Sequence, residues 1–217
     1  LFFTLDDDNN IYLSSDVPDT IVMGSDTLFC CNGCKSTVLA KLNPQGQKIW
    51  HVEVEGEYNN SSGNYLQYIS GKPLIMGNRV YVSGNTQSYP GTNFLGAPIN
   101  NSIAQYPFVL TKVFASFNKN TGVLLSSNYL QSKQDVYEAS LTYHNGMIYS
   151  AVGLGQIVVM NQIDTIKPFT TGYENYPYVV EMDSTLSQFN WGIAAEMLYT
   201  NTRATMTEML VDHNGNI

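Results

Sequence analysis

The chain has 217 residues, enough to bury a hydrophobic core as one domain or two. Its residues are 43% hydrophobic but only 13% charged, so Asn, Ser, Thr, Gln and Tyr must keep the surface polar, which is typical of extracellular proteins. The net charge of -8, with only 10 Lys and Arg residues, excludes nucleic acid and anionic membrane surfaces as expected partners, because phosphate binding needs a basic patch.

The first predicted element is a hairpin that recurs along the chain. It consists of an apolar strand end, a tight turn of Asp, Asn or Gly, and a β-branched residue, and such turns supply the positive φ angles that short hairpins need. The β-branched positions, spaced 69, 68 and 69 residues apart, are Ile11, Val80, Ile148 and Ile217. This spacing indicates tandem repeats with approximate bounds of 1–69, 70–137, 138–206 and, in part, 207–217.

A second hairpin lies between these anchors. Its first strand ends at Leu42-Asn43, Phe117-Asn118 and Met182-Asp183 in the three repeats, each time before a polar turn. Each repeat therefore holds four short strands, with only a weak helical pattern at 193–198. This organisation predicts an all-β chain, a β-propeller segment of about three four-stranded antiparallel blades plus the start of a fourth. A β-sandwich is the alternative, but its strands need not repeat in sequence.

In the second repeat, we expect strands near residues 72–76, 80–84, 113–117 and 123–129 to form one sheet, because their side chains alternate between apolar and polar.

Two stretches resemble a known family. Gly77–Gly84 reads GNRVYVSG, and Val38–Gly46 reads VLAKLNPQG and is followed by Ile49-Trp50. These stretches resemble the repeat unit of the bacterial seven-bladed β-propeller family called SBBP repeats, and the resemblance covers essentially the whole chain. It implies a propeller fold and an exported or surface protein of adhesive or unknown role. It says little about activity, because the shared residues are core and turn residues.

The Asn43–Trp50 stretch is also similar to the tryptophan-docking motif of quinoprotein dehydrogenases, D-x-x-T-G-x-x-x-W. The second repeat matches the turn better, through Gly122, but has Ser126 in place of Trp, and the third has Asn190 or Trp191 nearby and no Gly. A quinone site needs planar stacking groups and usually a calcium ion, and no such set can be named. We therefore expect no cofactor, with these residues serving as turn and core.

The acidic run Asp6–Asn10 offers oxygens that Ca²⁺ would accept. Its register matches the turns of the other repeats, and it lacks the spaced acids of a calcium loop, so we expect a solvated hairpin turn. His144 and His213 share a register but lie too far apart for one metal, and we interpret them as turn residues. The sequence indicates no metal site, and no arrangement typical of a catalytic triad or phosphate loop.

The only three cysteines, Cys30, Cys31 and Cys34, make at most half of a zinc site. In an oxidising compartment we expect a local disulfide between Cys30 and Cys34, with Cys31 to Cys34 as the alternative pairing. Candidate glycosylation sites, at Asn59, Asn60 and Asn101, lie in N-x-S/T sequons in predicted loops. They are glycan acceptors if the protein is eukaryotic and idle if it is bacterial.

Long loops rich in Tyr and Asn are the candidate binding surface, because Tyr offers contact area and a hydrogen bond together. The candidate contact residues are Tyr58, Tyr65, Tyr68, Tyr89, Phe94 and Tyr106. We predict a non-catalytic, secreted or cell-surface scaffold that binds a protein or carbohydrate. The alternative is a propeller-type enzyme, quinoprotein-like or a hydrolase, whose active site lies outside this segment; a structural repeat in a surface assembly is the third reading.

No apolar run approaches the roughly 20 residues that a membrane helix needs, so we expect no direct membrane insertion. The chain begins and ends inside predicted strands, and its three blades are fewer than the roughly four to eight that close a propeller. We therefore expect a longer chain, with further blades or partner chains covering the flanks of the outer sheets.

Overall fold

The computed structural model describes residues 1–17, 20–24, 26–29, 36–55, 68–88, 93–99, 109–132, 140–155, 158–160, 164–166 and 175–194. Within these ranges all regular secondary structure is β. The strands are β1 (Phe2–Leu5), β2 (Ile11–Val17), β3 (Thr20–Met23), β4 (Asp26–Phe29), β5 (Ser36–Leu42), β6 (Lys48–Glu55), β7 (Tyr68–Ile69), β8 (Leu74–Met76), β9 (Arg79–Ser88), β10 (Asn93–Phe94), β11 (Ala97–Pro98), β12 (Val109–Asn118), β13 (Leu124–Ser132), β14 (Ser140–His144), β15 (Met147–Gly155), β16 (Val158–Met160), β17 (Asp164–Ile166), β18 (Asn175–Asp183) and β19 (Phe189–Ala194).

Three antiparallel units of four strands follow one another along the chain. The first sheet is β1-β2-β5-β6, the second is β8-β9-β12-β13 and the third is β14-β15-β18-β19. The second sheet is extended by β7, which also pairs with β9, and by the β16–β17 hairpin, which pairs with β13. The all-β prediction is confirmed, and so is the prediction that the four strands of the second repeat share one sheet.

The pairing between the third and fourth strands is irregular at the same position in each of the three four-stranded sheets. The pairing of the third and fourth strands shifts by one residue at Lys41/Leu42, at Ser116/Phe117 and at Glu181/Met182. The next residue is always Asn or Asp, and its side-chain oxygen accepts hydrogen bonds from backbone N–H groups of the turn; these residues are Asn43, Asn118 and Asp183. Where the strand ends, this short polar side chain thus accepts the backbone hydrogen bonds that a neighbouring strand would otherwise accept. We call these three segments, 43–47, 118–123 and 183–188, the Asx turns.

Each Asx turn contains one residue with a left-handed backbone. It is Gly46 in the first (φ 79°), Gly122 in the second (φ 71°) and Leu186 in the third (φ 56°). Glycine adopts this conformation without a steric penalty, whereas Leu does not. Leu186 is fully buried in the core between the second and third sheets, and its burial offsets this strain.

The strand directions give each sheet two different ends. Within a sheet, the turns after the first and third strands lie at one end, which we call the tight-turn end. The connections 18–35, 89–108 and 156–174, which lead from second to third strands, depart from the opposite end. The links between sheets, 56–73 and 133–139, depart from that end too. We call it the long-loop end.

The sheets pack face to face. Tyr12, Leu39 and Trp50 of the first sheet form one core with residues of the second, including Val80, Val113 and Phe117. The opposite face of the second sheet forms another core with the third, through residues that include Tyr81, Phe114, Ile148, Val180 and Met182. The β3–β4 hairpin, which the sequence did not predict, covers Val38 and Ala40 on the outer face of the first sheet.

A hydrogen bond at the tight-turn end joins each sheet to the next. The indole Nε1 of Trp50 donates to the carbonyl oxygen of Lys119 in the second Asx turn at 3.0 Å, and Lys41 Nζ donates to the same oxygen at 3.3 Å. The Tyr81 hydroxyl donates at 2.8 Å to the carbonyl of Ser184, the matching residue of the third Asx turn. In both interfaces the carbonyl after the Asx residue accepts a side-chain donor from the preceding sheet.

The Trp50 ring also lies directly against Gly122. A Cβ atom placed on this glycine would lie 2.8 Å from the ring, whereas one on Gly46 would meet nothing within 4 Å. Both glycines are left-handed, so they differ mainly in this contact.

We therefore expect Gly122→Ala to lower the free energy of unfolding by about 2–5 kcal/mol, from backbone strain plus the clash with Trp50. The matched variant Gly46→Ala carries only the strain and should lose about 1–2 kcal/mol. Urea denaturation of the two variants measures the difference. Equal losses would show that the Trp50 ring does not press on the turn.

Candidate functional site

Most of the predicted contact residues belong to connections that follow strands ending at the long-loop end. Tyr68 begins β7, where it pairs with Asn85 near the end of β9. The remaining candidates in this group lie outside the described residues, in connections that depart from the long-loop end; they are Tyr58, Tyr65, Tyr89 and Tyr106, the sequon residues Asn59, Asn60 and Asn101, and the cysteines Cys30 and Cys34. In the third sequon, 100–102, the acceptor position is Asn100, with Asn101 as the middle residue. The connections 18–35, 56–73 and 89–108, which contain these residues, thus each follow a strand that ends at the long-loop end of its sheet.

Phe94 does not lie on an exposed binding loop. It lies on β10 with 0% of its surface exposed, in the core between the first and second sheets together with Leu95 and Ile99. A Cβ on the adjacent Gly96 would lie 4.0 Å from Leu124, at the other end of the sheet, so the β10–β11 hairpin folds back along the sheet. The apolar run Phe94–Ile99 is the sequence signal that favours this core position over a binding loop.

A buried polar cluster underlies the long-loop end of the second sheet. Lys112 is fully buried, and its Nζ donates a hydrogen bond to Ser70 Oγ. The backbone oxygen of Ser70 accepts a hydrogen bond from Ser83 Oγ at 2.8 Å. On the opposite face of β12, Gln131 Nε2 of β13 donates to Thr111 Oγ1 at 3.4 Å, and both residues are fully buried.

Burial of an ammonium group is unfavourable unless polar partners compensate for lost hydration, so this cluster constrains the strand ends that it joins. Those strand ends carry the long connections of the second repeat. The pair Thr111-Lys112, which interrupts the apolar run of β12, is the sequence signal that could have predicted this cluster.

At the tight-turn end, the acidic run forms a hydrogen-bonded turn. Asp6 Oδ1 accepts from the backbone N–H groups of Asp8 and Asn10 at 3.0 and 2.9 Å, and Oδ2 accepts from the Tyr12 hydroxyl at 3.0 Å. Lys41 Nζ lies 3.9 Å from the same carboxylate. Both carboxylate oxygens of Asp6 are thus engaged by protein donors.

Among the described residues, no three His, Cys, Asp or Glu side chains are grouped so that they could hold a metal ion. His144 ends β14 beside the 145–146 turn, and His213 lies outside the described ranges.

The ionisable side chains Asp6, Tyr12 and Lys41 at the tight-turn end shift one another's pKa values. Burial raises the pKa of the Asp6 carboxyl, but hydrogen bonds from Asn10, Tyr12 and the backbone outweigh burial and hold this pKa below 3.8. Burial, and then the bond to Asp6, raise the pKa of Tyr12. Burial lowers the pKa of Lys41, as does nearby Lys119, against the attraction of Asp6. This network holds the side chains that reach the second sheet.

In the part of the chain that the structure describes, no helix has the length and apolarity to cross a membrane. No protein-family model matches the chain, and no curated protein matches it significantly.

We expect Asp6→Asn to lower the free energy of unfolding at neutral pH by about 1.5–3 kcal/mol, because several hydrogen bonds to a charged acceptor are weakened. The Asp6 pKa is depressed in the folded state, so its stabilisation is complete above the ordinary value of 3.8 and is lost as the pH falls through the folded value. The gap between wild type and variant should therefore close in acid.

Thermal or urea unfolding from pH 7 down to pH 2 tests this pH dependence. Asp7→Asn, at an exposed neighbouring position, is the matched control and should leave stability within about 0.5 kcal/mol of wild type. A gap that stays constant with pH would contradict the role given to the Asp6 charge.

Proposed function

We propose that the three sheets are consecutive blades of a β-propeller, and that this secreted or cell-surface propeller binds a protein or carbohydrate ligand through its long-loop end. The observation that carries the proposal is the asymmetry between the two ends. Hairpin turns of a few residues close one end, whereas every connection of seven residues or more departs from the other. Binding residues commonly lie on loops that a rigid scaffold positions.

The regular stacking of the sheets supports a propeller. The first and second sheets pack on one face of the second sheet, and the second and third sheets pack on its opposite face. In each interface, a side-chain donor of one sheet forms a hydrogen bond with the Asx turn of the next. When every sheet packs on the next in the same way, additional sheets become arranged around a common axis, as in a propeller.

The composition of the long connections suits a polar ligand. Residues 58–68 and 89–106 contain Tyr58, Tyr65, Tyr89 and Tyr106 among several Asn and Ser residues, with no Lys or Arg. Tyr provides a flat apolar face and a hydroxyl, and Asn provides both a donor and an acceptor. Sugar rings and uncharged protein loops present the matching apolar and hydrogen-bonding groups.

The proposal predicts that the wild-type chain binds members of a panel of immobilised neutral oligosaccharides and extracellular-matrix proteins. Replacing the four loop tyrosines by Ser should weaken binding to the strongest of these probes by at least about tenfold, since aromatic anchors dominate binding energies.

The control is Tyr143→Ser, which removes a tyrosine that is 40% exposed at the tight-turn end and should leave binding unchanged. Calorimetric titration with the strongest probe gives both affinities, and urea unfolding verifies that the variants are folded. Loss of binding in Tyr143→Ser but not in the loop variant would assign the site to the wrong end. Failure of the wild type to bind any probe would count against a binding scaffold.

A further inference from the structure

Arg79 is held by two serine hydroxyls at the tight-turn end of the second sheet. It is the first residue of β9, and its Nη1 donates hydrogen bonds to Ser116 Oγ at 2.7 Å and to Ser126 Oγ at 3.1 Å. The two hydroxyls are also hydrogen-bonded to each other, at 2.7 Å. Ser116 is fully buried and pairs with Tyr81, which belongs to the core shared with the third sheet. The cluster therefore lies on the face of the second sheet that packs on the third.

The guanidinium of Arg79 has no counter-ion in the described part of the chain. The only ion pair there joins Lys41 to Asp6, and the acceptors of Arg79 are the two serines. A serine hydroxyl is neutral, so it orients the guanidinium without offsetting its charge. Arginine also carries N–H donors on Nε and Nη2, which form a second edge of the planar group. Among the described residues, no acceptor bonds to this edge of Arg79.

The nearby acid on the facing sheet is engaged within its own turn. Burial raises the pKa of Tyr81, Arg79 opposes this rise and Asp183 adds to it, so both charges lie near the Tyr81 hydroxyl. Asp183 Oδ1 accepts a hydrogen bond from the backbone N–H of Gln188 at 2.9 Å, and Oδ2 accepts one from that of Thr185 at 3.1 Å. This carboxylate therefore stabilises the third Asx turn and leaves Arg79 unpaired.

A serine at the position of a tryptophan makes room for the arginine. Ser126 pairs with Ser116 as Trp50 pairs with Lys41 in the first sheet. The Trp50 ring covers the turn of the next sheet, whereas Ser126 is too short to do so and accepts a hydrogen bond from Arg79 instead. Arg79 and Ser126 both remain partly exposed, so an ion from solvent has access to the guanidinium.

We propose that the Nε–Nη2 edge of Arg79 binds an oxyanion, a carboxylate or a sulfate group. Two parallel N–H···O bonds from this edge match the spacing of two oxygens on one such group, which a lysine ammonium cannot reproduce. The serines already fix the plane of the fork, so binding costs little further ordering of the side chain. The same pair of oxygens is presented by a small free anion and by the uronate or sulfate ester of an acidic polysaccharide. The site lies at the end opposite to the proposed ligand-binding loops and does not depend on them.

NMR of the arginine Nε–H groups tests the proposal directly. The chain contains two arginines, Arg79 and Arg203, so a ¹⁵N–¹H spectrum holds two such signals and the second is an internal reference. The probes are sodium acetate, sodium sulfate and an oligogalacturonate, each added at constant ionic strength against sodium chloride. The Arg79 signal should shift and saturate with each probe, because its Nε–H donates to the bound oxyanion.

Three variants separate the geometry of the fork from its charge. Arg79→Lys keeps the charge but removes the fork, and should weaken oxyanion binding by at least about tenfold. Ser126→Ala removes one of the two acceptors that orient Nη1, and should weaken binding by about threefold to tenfold. Lys48→Gln removes a positive charge from the same end and is the control, with a change below about twofold because exposed charges are screened. Backbone amide signals of β9 and β13 report binding in every variant, and urea unfolding verifies that each is folded.

The comparison between probes identifies the source of the anion. An oligogalacturonate that binds the Arg79 site much more tightly than acetate would support the site and assign it to an acidic polysaccharide. Equal affinities would support the site and assign it to a small free anion. Parallel, non-saturating shifts of the Arg79 and Arg203 signals would overturn the proposal, as would equal losses of binding in Arg79→Lys and Lys48→Gln, since both indicate a general effect of charge.

Discussion

One backbone carbonyl, that of Lys119, fixes how the first two sheets meet. It accepts hydrogen bonds from Trp50 and Lys41 at the rim of an apolar interface, and the indole ring covers the bare Cα of Gly122. Apolar burial supplies most of the attraction between two sheets but is not directional. A buried donor that has one acceptor fixes the lateral position of one sheet on the next. Leaving that donor unpaired would lower the stability of the fold by about 1–3 kcal/mol. The register and spacing of the sheets follow from that constraint.

The second interface meets the same constraint with other side chains. In the second sheet, Ser126 stands at the position that Trp50 has in the first. Arg79 lies beside it, and its Nη1 donates hydrogen bonds to Ser116 and Ser126. The bond to the next turn is made instead by Tyr81, on β9, the second strand of the sheet, to Ser184. The turn there has a buried Leu186 where the second has Gly122, since no indole presses on it. The accepting carbonyl is thus kept while its donor changes, which allows the repeats to diverge in sequence.

The sequence was sufficient for features set by neighbouring residues. The hairpins around Asn78 and Asn145, and the Asx turns, depend on local backbone preferences, so their strands and the sharing of sheets could be predicted. Features set by distant residues were missed. The β3–β4 and β10–β11 hairpins and the burial of Phe94 result from packing on a sheet formed elsewhere in the chain. Trp191 pairs with Glu181 as Trp50 pairs with Lys41, but it could not be recognised as the counterpart of Trp50 because the third turn lacks the glycine that marks the motif. Lys112 was not recognised as buried, because lysine is ordinarily exposed and the serine that accepts its hydrogen bond lies 42 residues away in the sequence.

The central claim, that the Trp50 ring and the second Asx turn stabilise the protein as a unit, is tested most directly by a double-mutant cycle between Trp50→Ser and Gly122→Ala. Once the ring is gone, Gly122→Ala should retain only its backbone strain, so the two losses should fall short of additivity by at least about 1 kcal/mol. A parallel cycle between Trp50→Ser and Gly146→Ala, at a left-handed glycine with nothing within 4 Å, should be additive. If the Trp50–Gly122 cycle is additive within about 0.5 kcal/mol as well, the turn and the ring act independently, and the account of how the sheets are joined is contradicted.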